Sequence, residues 1–338
     1  MRRTPGKAQA FAERVPGSGQ CQGYDNLQAF LQHDGMDAVY ISTRPGTHLE
    51  IAQQVAAAGK ACYIEKPVGR CAAETQQIVD LFQQANLPLY AAYISRAYDR
   101  TQAVRKLLQE GAIGDKLLTV NYELVGLGGA RDMGGALPWR LDASQSGGGL
   151  IMDVGCHIVD RIDYLCGSLM NVNGSAKNKA SPNQPVEDYV EFTAKIGPSS
   201  WASFPGCEGA EVSCRWDFSP EDSMEEIDRL EFVGTKGTIR LKGMSPSDPV
   251  HVLDTNGKLV QELTFEAPEH TAQQLIQAVT LDLLNSNYDE TGDPMLSKGG
   301  ANAVRTQQVL DACLTSYYGG REAGYWTRQS SWPGRPSA

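Results

Sequence analysis

The sequence holds eight cysteines (Cys21, Cys62, Cys71, Cys156, Cys166, Cys207, Cys214, Cys313) but no Cys-x-x-Cys pair, and that absence argues against a metal centre of the zinc-ribbon kind. Most of these thiols fall within apolar stretches, the usage of a reducing compartment, so cytosol or an organelle stroma fits and a cytoplasmic protein is expected. Long apolar runs are also missing. The longest candidate, Leu89 to Ile94, is strand-sized and far below the ~18 residues that cross a bilayer. Met1-Arg2-Arg3 can pass for the start of a signal peptide, but Thr4 to Arg14 is polar where an apolar segment belongs. Positive charge is scarce: 30 Lys and Arg stand against 40 Asp and Glu, a formal net charge of -10. Such a balance speaks against a broad surface for nucleic acid or anionic membrane, while leaving room for a small basic pocket. The expected ligand is therefore a small molecule. What is present is ordinary globular material, 338 residues of which 41% are hydrophobic, long enough for two cores.

The first ninety residues alternate helix-like and strand-like segments, the habit of a doubly wound parallel sheet. Helices are expected at Ala8–Glu13, Leu27–Leu31, His48–Ala58 and Glu74–Ala85, and buried strands at Asp37–Ser42, Lys60–Ile64 and Pro88–Ile94. From about Leu117 longer alternating segments appear (Leu117–Val125, Val186–Ile196, Trp201–Phe204, Glu211–Phe218), followed by hairpins turning at Thr235-Lys236-Gly237 and Asn256-Gly257. These predict a second, α+β domain with an open, mostly antiparallel sheet. One helix interrupts it (Leu150–Leu165) and two close the chain (His270–Leu284 and Ala301–Tyr318), so helices are expected over one face of that sheet only. The division expected is 1–92, 93–328 and a frayed tail, 329–338.

Glu65-Lys66-Pro67 follows the apolar strand directly, and ligands of open α/β sheets bind beyond the carboxyl ends of the strands. Lys66 there can polarise a hydroxyl or carbonyl, with burial expected to lower its pKa; it also reads as a surface lysine on a loop. In the stretch from Gly147 to His157, helical spacing sets Ile151, Val154, Ile158, Ile162 and Leu165 on one stripe and Asp153, His157, Asp160 and Tyr164 nearly opposite. That second stripe offers a carboxylate and an imidazole one turn apart to a substrate, or is simply a solvated face. The glycines before it permit close approach of a ligand or of backbone. Ser42-Thr43-Arg44-Pro45-Gly46-Thr47-His48, again at a strand's carboxyl end, suits a ribose or phosphate, and reads as well as a helix start capped by Thr47. Arg2 and Arg3 would suit the 2′-phosphate of NADP if a strand ended just before them, and are otherwise two solvated charges.

In this order the motifs resemble the Gfo/Idh/MocA oxidoreductase family, named for glucose-fructose oxidoreductase, inositol dehydrogenase and a rhizopine-catabolism protein. The likeness runs from Arg2 through Ser42–His48, Glu65-Lys66-Pro67 and Gly147–His157 to the helix around Ala303–Ser316. It implies a Rossmann domain, an open-sheet domain that often forms a homodimer or larger homo-oligomer, and NADP, or alternatively NAD, as cofactor. By resemblance Lys66, Asp153 and His157 are the catalytic trio and Lys66-Pro67 is a cis peptide. Arg2, Arg3, Ser42, Thr43, Arg44, His48, Glu65 and Lys66 fall at the cofactor, and Tyr93, Trp139 and Arg140 at a sugar, cyclitol or other polyol substrate. No metal is implied. The family's Gly-x-Gly-x-x-Gly turn has no counterpart: Gly17 with Gly19, and Gly126 with Gly128 and Gly129, lack its spacing. The expectation is an incomplete Rossmann sheet lacking its first strand–helix unit, about 30 residues, with an exposed apolar strand edge and weak cofactor binding. Two other functions stay open, a non-catalytic dinucleotide or sugar sensor and a redox-neutral glycosidase with tightly held cofactor.

Overall fold

The computed structural model describes residues 1, 4, 6–15, 21–126, 138–179, 185–219, 225–285, 294–321 and 324–327. Along the chain run α1 (Lys7–Ala12), α2 (Leu27–Leu31), β1 (Ala38–Ile41), α3 (His48–Ala57), β2 (Ala61–Ile64), α4 (Ala72–Gln84), β3 (Leu89–Ala91) and α5 (Asp99–Gln109). Strands β1, β2 and β3 pair in parallel in that order. All four residues of β2 are buried, as expected of a strand covered on both faces. Alternation along the strands assigns the faces. Cys62, Ile64, Leu89 and Ala91 pack with Ala52 and Val55 of α3 and Ile78 and Phe82 of α4, whereas Tyr63, Tyr90 and Ala92 point into a separate cluster. The outer edge of β1 has no strand partner among the described residues, and Tyr40 on it is 47% exposed.

The second half comprises β4 (Leu117–Val125), α6 (Ala143–Ser146), α7 (Cys156–Cys166), β5 (Leu169–Lys177), β6 (Tyr189–Ile196), β7 (Glu211–Asp217), β8 (Ile227–Gly234), β9 (Gly237–Leu241), β10 (Val250–Leu253), β11 (Leu259–Leu263), α8 (Gln273–Leu284) and α9 (Ala301–Tyr318). Eight strands form one sheet in the order β11-β10-β9-β8-β4-β7-β6-β5, antiparallel throughout except where β4 lies parallel to β7. Its inner face is apolar (Val120, Tyr122, Phe192, Trp216, Phe232), and Trp216 packs at 5.2 Å from Tyr122 and 5.9 Å from Phe192. The outer face is polar, with Glu123 paired to both Arg215 and Arg229.

Three expectations change. Trp201–Phe204 is not a strand but a bend, in which Trp201 Nε1 donates to Asp163 O at 2.7 Å and the ring receives the Arg305 guanidinium at 4.2 Å. Strand β5, low in β-branched residues, went unforeseen. The two closing helices do not share one sheet: α9 packs on β5, while Leu275 and Val279 of α8 cover Tyr63 and Tyr90 of the parallel sheet. A helix from the far end of the chain thus makes that sheet double-sided.

Candidate active site

Lys66 stands just past β2, on a cis peptide with Pro67. Its Nζ donates to Asp153 O at 2.7 Å and to Asp153 Oδ1 at 2.8 Å. The backbone acceptor is available because residues Ile151–Gly155 form a π-helical turn ahead of α7 rather than α-helix. Such turns loosen the regular i→i−4 ladder and favour functional positions. Gly155 lies close under Ile151 in this turn: a Cβ there would come within 2.2 Å of Ile151 Cδ1, so any larger residue would displace that side chain. Arg140 Nε donates to Asp153 Oδ2 at 2.7 Å, so the carboxylate bridges two cations. Burial acts to raise the Asp153 pKa, but Lys66 and Arg140 outweigh it and hold the carboxyl below its usual range. For Lys66 burial acts downward, while Cys156 and Asp153 outweigh it and raise the ammonium above its usual value. The expected lowering of Lys66 is therefore overturned, because its carboxylate partner comes from a helix 87 residues away.

His157 lies one turn on. Its Nδ1 is sealed from solvent without a partner, which leaves Nε2 as the nitrogen available to a ligand. Burial first, then the positive charges of Lys66 and Arg161, hold its pKa well below 6.5 against the pull of Asp153, so the ring is neutral at neutral pH. Asp160 and Tyr164 do not continue this face toward a substrate. Asp160 is fully buried and accepts from Arg96 Nε and Nη2, both at 2.7 Å, and the Arg96 guanidinium lies 4.9 Å over Tyr164.

The glycine run serves backbone approach and not ligand approach. Gly147 has φ +92°, and a Cβ on it would meet Arg70 O at 2.4 Å; one on Gly149 would meet Glu187 O at 2.3 Å. Gly149 N also donates to Glu187 Oε1 at 2.7 Å, fixing the entry to the turn 151–155.

Ser42, Thr43 and Arg44 line a cleft of about 660 Å³ beyond β1 together with Thr47, Gln54 and Trp139. Trp139, expected at the substrate, instead lines this cleft beyond β1, with the Arg44 and Arg140 guanidiniums 6.0 and 4.4 Å from its ring. Thr47 precedes α3 but does not cap it, its hydroxyl being bonded to Thr43 Oγ1 at 2.8 Å. His48 is removed from cofactor contact: it is fully buried, with Nδ1 3.1 Å from Val68 O and Nε2 3.0 Å from Thr43 O, and so shapes the turn from beneath. Glu65 accepts from the Tyr40 hydroxyl at 2.5 Å. Tyr93, also expected at the substrate, is fully buried with its hydroxyl sealed, and lies under the site. Arg2 and Arg3 lie outside the described residues.

Two family models match the chain, an oxidoreductase family with NAD-binding Rossmann fold over residues 1–93 and a Gfo/Idh/MocA C-terminal domain over residues 101–240. The chain belongs to the Gfo/Idh/MocA oxidoreductase family. As a member it is similar to an oxidoreductase of Formosa agariphila, with 27% identity over 82% of this chain and 79% of that protein. It is 32% identical to a dTDP-3,4-didehydro-2,6-dideoxy-alpha-D-glucose 3-reductase of Streptomyces violaceoruber over 51% of this chain, spanning only 47% of that reductase. Its fold matches that of an aldose-aldose oxidoreductase from Caulobacter crescentus crystallised with glycerol, at a TM-score of 0.72 and 22% identity, covering 93% of this chain and 87% of that one.

A nicotinamide dinucleotide suits the donor set on the parallel-sheet side. Hydroxyls of Ser42 and Thr43, the Arg44 guanidinium and the flat face of Trp139 meet in one cleft at a strand's carboxyl end, the combination that ribose, phosphate and a ring require.

Proposed function

We propose that this protein is an NADP-linked dehydrogenase or reductase, with NAD as the other candidate cofactor, acting between a hydroxyl and a carbonyl on a sugar, cyclitol or related polyol. The observation that carries this reading is the meeting of Lys66 from the parallel sheet with the Asp153–His157 turn of the other half. The nicotinamide supplies or accepts the hydride. His157, kept neutral, takes the hydroxyl proton at Nε2, and Lys66, kept charged, stabilises the developing alkoxide. Asp153 holds Lys66 in place on one oxygen and Arg140 on the other, so it is a positioning residue. Ser42, Thr43, Arg44 and Glu65 are assigned to the cofactor and Arg140 to the substrate rim. Arg2 and Arg3 are the sequence's reason for preferring NADP.

We take residues 1–92 as the cofactor domain and 93–328 as the substrate domain. The polar outer face of the large sheet supports a homodimer, and eight unpaired thiols, seven of them buried, support a cytoplasmic location. No helix among the described residues is long and apolar enough to cross a membrane. The test is steady-state turnover of NADP and NADPH, followed by nicotinamide absorbance, against a panel of aldoses, cyclitols and their keto forms. Turnover with one stereochemical class is expected; none with any member overturns the reading.

A further inference from the structure

Past the end of α9, Arg321 uses two nitrogens of its guanidinium on two different partners. Nη1 donates to Gly147 O, and Nη2 donates to Asp311 Oδ1 on α9. The other oxygen of Asp311 accepts from Ala72 N, the first residue of α4, at 2.8 Å. One ion pair, whose Arg321 side chain is only 1% exposed, therefore spans from the Gly147 carbonyl to the N-terminus of α4. These are the two approaches to the site. The loop 65–71 that carries Lys66 runs directly into Ala72, and the stretch that begins at Gly147 runs through the turn 151–155 to His157.

Each approach has a further tie to the same end of the chain. Gly149 N donates to Glu187 Oε1 at 2.7 Å, and Tyr318, the last residue of α9, donates to Glu187 Oε2 at 2.5 Å. Arg70 Nη1 donates to Ser144 O at 2.7 Å, and its guanidinium lies 5.0 Å over the Trp326 ring. The Arg321 guanidinium lies 5.5 Å from the Tyr318 ring and 5.9 Å from that of Trp326. The hold is on backbone, at Ala72 N, Ser144 O, Gly147 O and Gly149 N. A buried ion pair adds little net stability, because desolvation of both charges offsets their attraction, whereas a planar guanidinium fixes direction as well as distance. Its distinctive effect is on where the two backbones stand, and a misplacement of about 1 Å can cost a reaction on the order of a hundred-fold. We propose that Arg321 is a positioning residue: with Asp311 it sets the separation of the Lys66 loop from the stretch 147–157, and so places the ammonium against the imidazole. This rests on the reading of Lys66 and His157 as the reacting pair, but the bridge has a signature that needs no substrate. His157 faces Lys66, Asp153 and Arg161, and burial with the two cations keeps its ring neutral. Cutting the bridge lets the stretch that carries His157 part from the Lys66 loop and admits water, which moves the imidazole back toward its ordinary value.

The experiment is a pH titration of the full chain, isotope-labelled on histidine nitrogen and read by NMR, with His157 assigned by its absence in His157→Ala. Wild type, Arg321→Gln, Arg321→Lys and Asp311→Asn are compared, each with its urea unfolding midpoint. In Arg321→Gln and Asp311→Asn the His157 pKa is expected to rise toward 6.5, and to rise less in Arg321→Lys, which keeps the charge without the planar fork. Hydride transfer to or from a substrate found in the aldose and cyclitol panel is expected to fall about ten-fold or more in Arg321→Gln, with KM for NADP unchanged. A lowered unfolding midpoint with His157 titrating as in the wild type makes the bridge a stabilising element only and overturns the proposal, as does failure of all three variants to fold. Turnover by the wild type with an unmoved His157 pKa in the variants removes the bridge and leaves the dehydrogenase. A moved pKa without turnover of any polyol removes the dehydrogenase and keeps the bridge as the device that places Lys66 against His157.

Discussion

At the start of the helical segment 151–166, Asp153 is held by Lys66 and Arg140 at a partly open site and His157 keeps a nitrogen without a partner. One turn later, Asp160 and Asp163 are fully buried and every carboxylate oxygen is matched: Arg96 and Asn302 bind Asp160, and Arg305 binds Asp163 at 2.7 and 2.8 Å. The same helix therefore carries two kinds of polar group. Where charges are fully matched they fasten the fold: Arg96, from beyond β3, ties the first half of the chain to α7, and Arg305 ties α9 to α7. Where matching is incomplete, a proton or substrate can still be taken up.

The contrast breaks most severely at Asp160. Its replacement by Ala leaves the buried Arg96 with only the longer pair to Asp163 and the Pro294 carbonyl, and should cost about 3 kcal/mol, read as a lowered urea midpoint with activity lost through unfolding. His157→Ala should do the opposite, lowering turnover by ~100-fold or more while leaving the unfolding midpoint and cofactor affinity nearly as they were. Equal loss of stability in the two variants would erase the distinction.

Asp153→Asn sharpens it through pH. In the wild type His157 stays neutral well below 6.5, so activity persists as pH falls through that value, and Lys66 stays charged above 10.5. Removing the Asp153 charge takes from both groups an interaction that raises their pKa. The acid and alkaline limbs of kcat/KM should therefore both move to lower pH; movement of either limb upward contradicts the assignment. The smallest effect is expected at Arg140→Gln. Its side chain is 48% exposed, and such a pair contributes about 0.2–1 kcal/mol, so thermal stability should barely change.

How much of this could be read from the sequence depended on distance along the chain. The position of Lys66 beyond an apolar strand and the Asp153–His157 spacing are local, and both lead to the site. The faces of α7 were not legible. Regular 3.6-residue spacing put Asp160 and Tyr164 on the ligand stripe, but their partners, Arg96 and Asn302 for Asp160 and Arg96 and Arg105 for Tyr164, lie far away in sequence and draw that stripe into the interior. The π-turn was equally hidden, since the local sequence Ile151–Gly155 reads as regular helix by its spacing. His48 looked like a ligand residue because it opens a helix at a strand end, and only the carbonyls of Thr43 and Val68 show it facing inward.

The central claim is that positions 66 and 157 serve one reacting carbon. The most direct measurement is a double-mutant cycle on the single-turnover rate of hydride transfer, with Lys66→Met, His157→Ala and the double variant. The account predicts strong non-additivity, the double variant losing about as much as the worse single one. Losses that multiply independently would place the two side chains at separate tasks and contradict it.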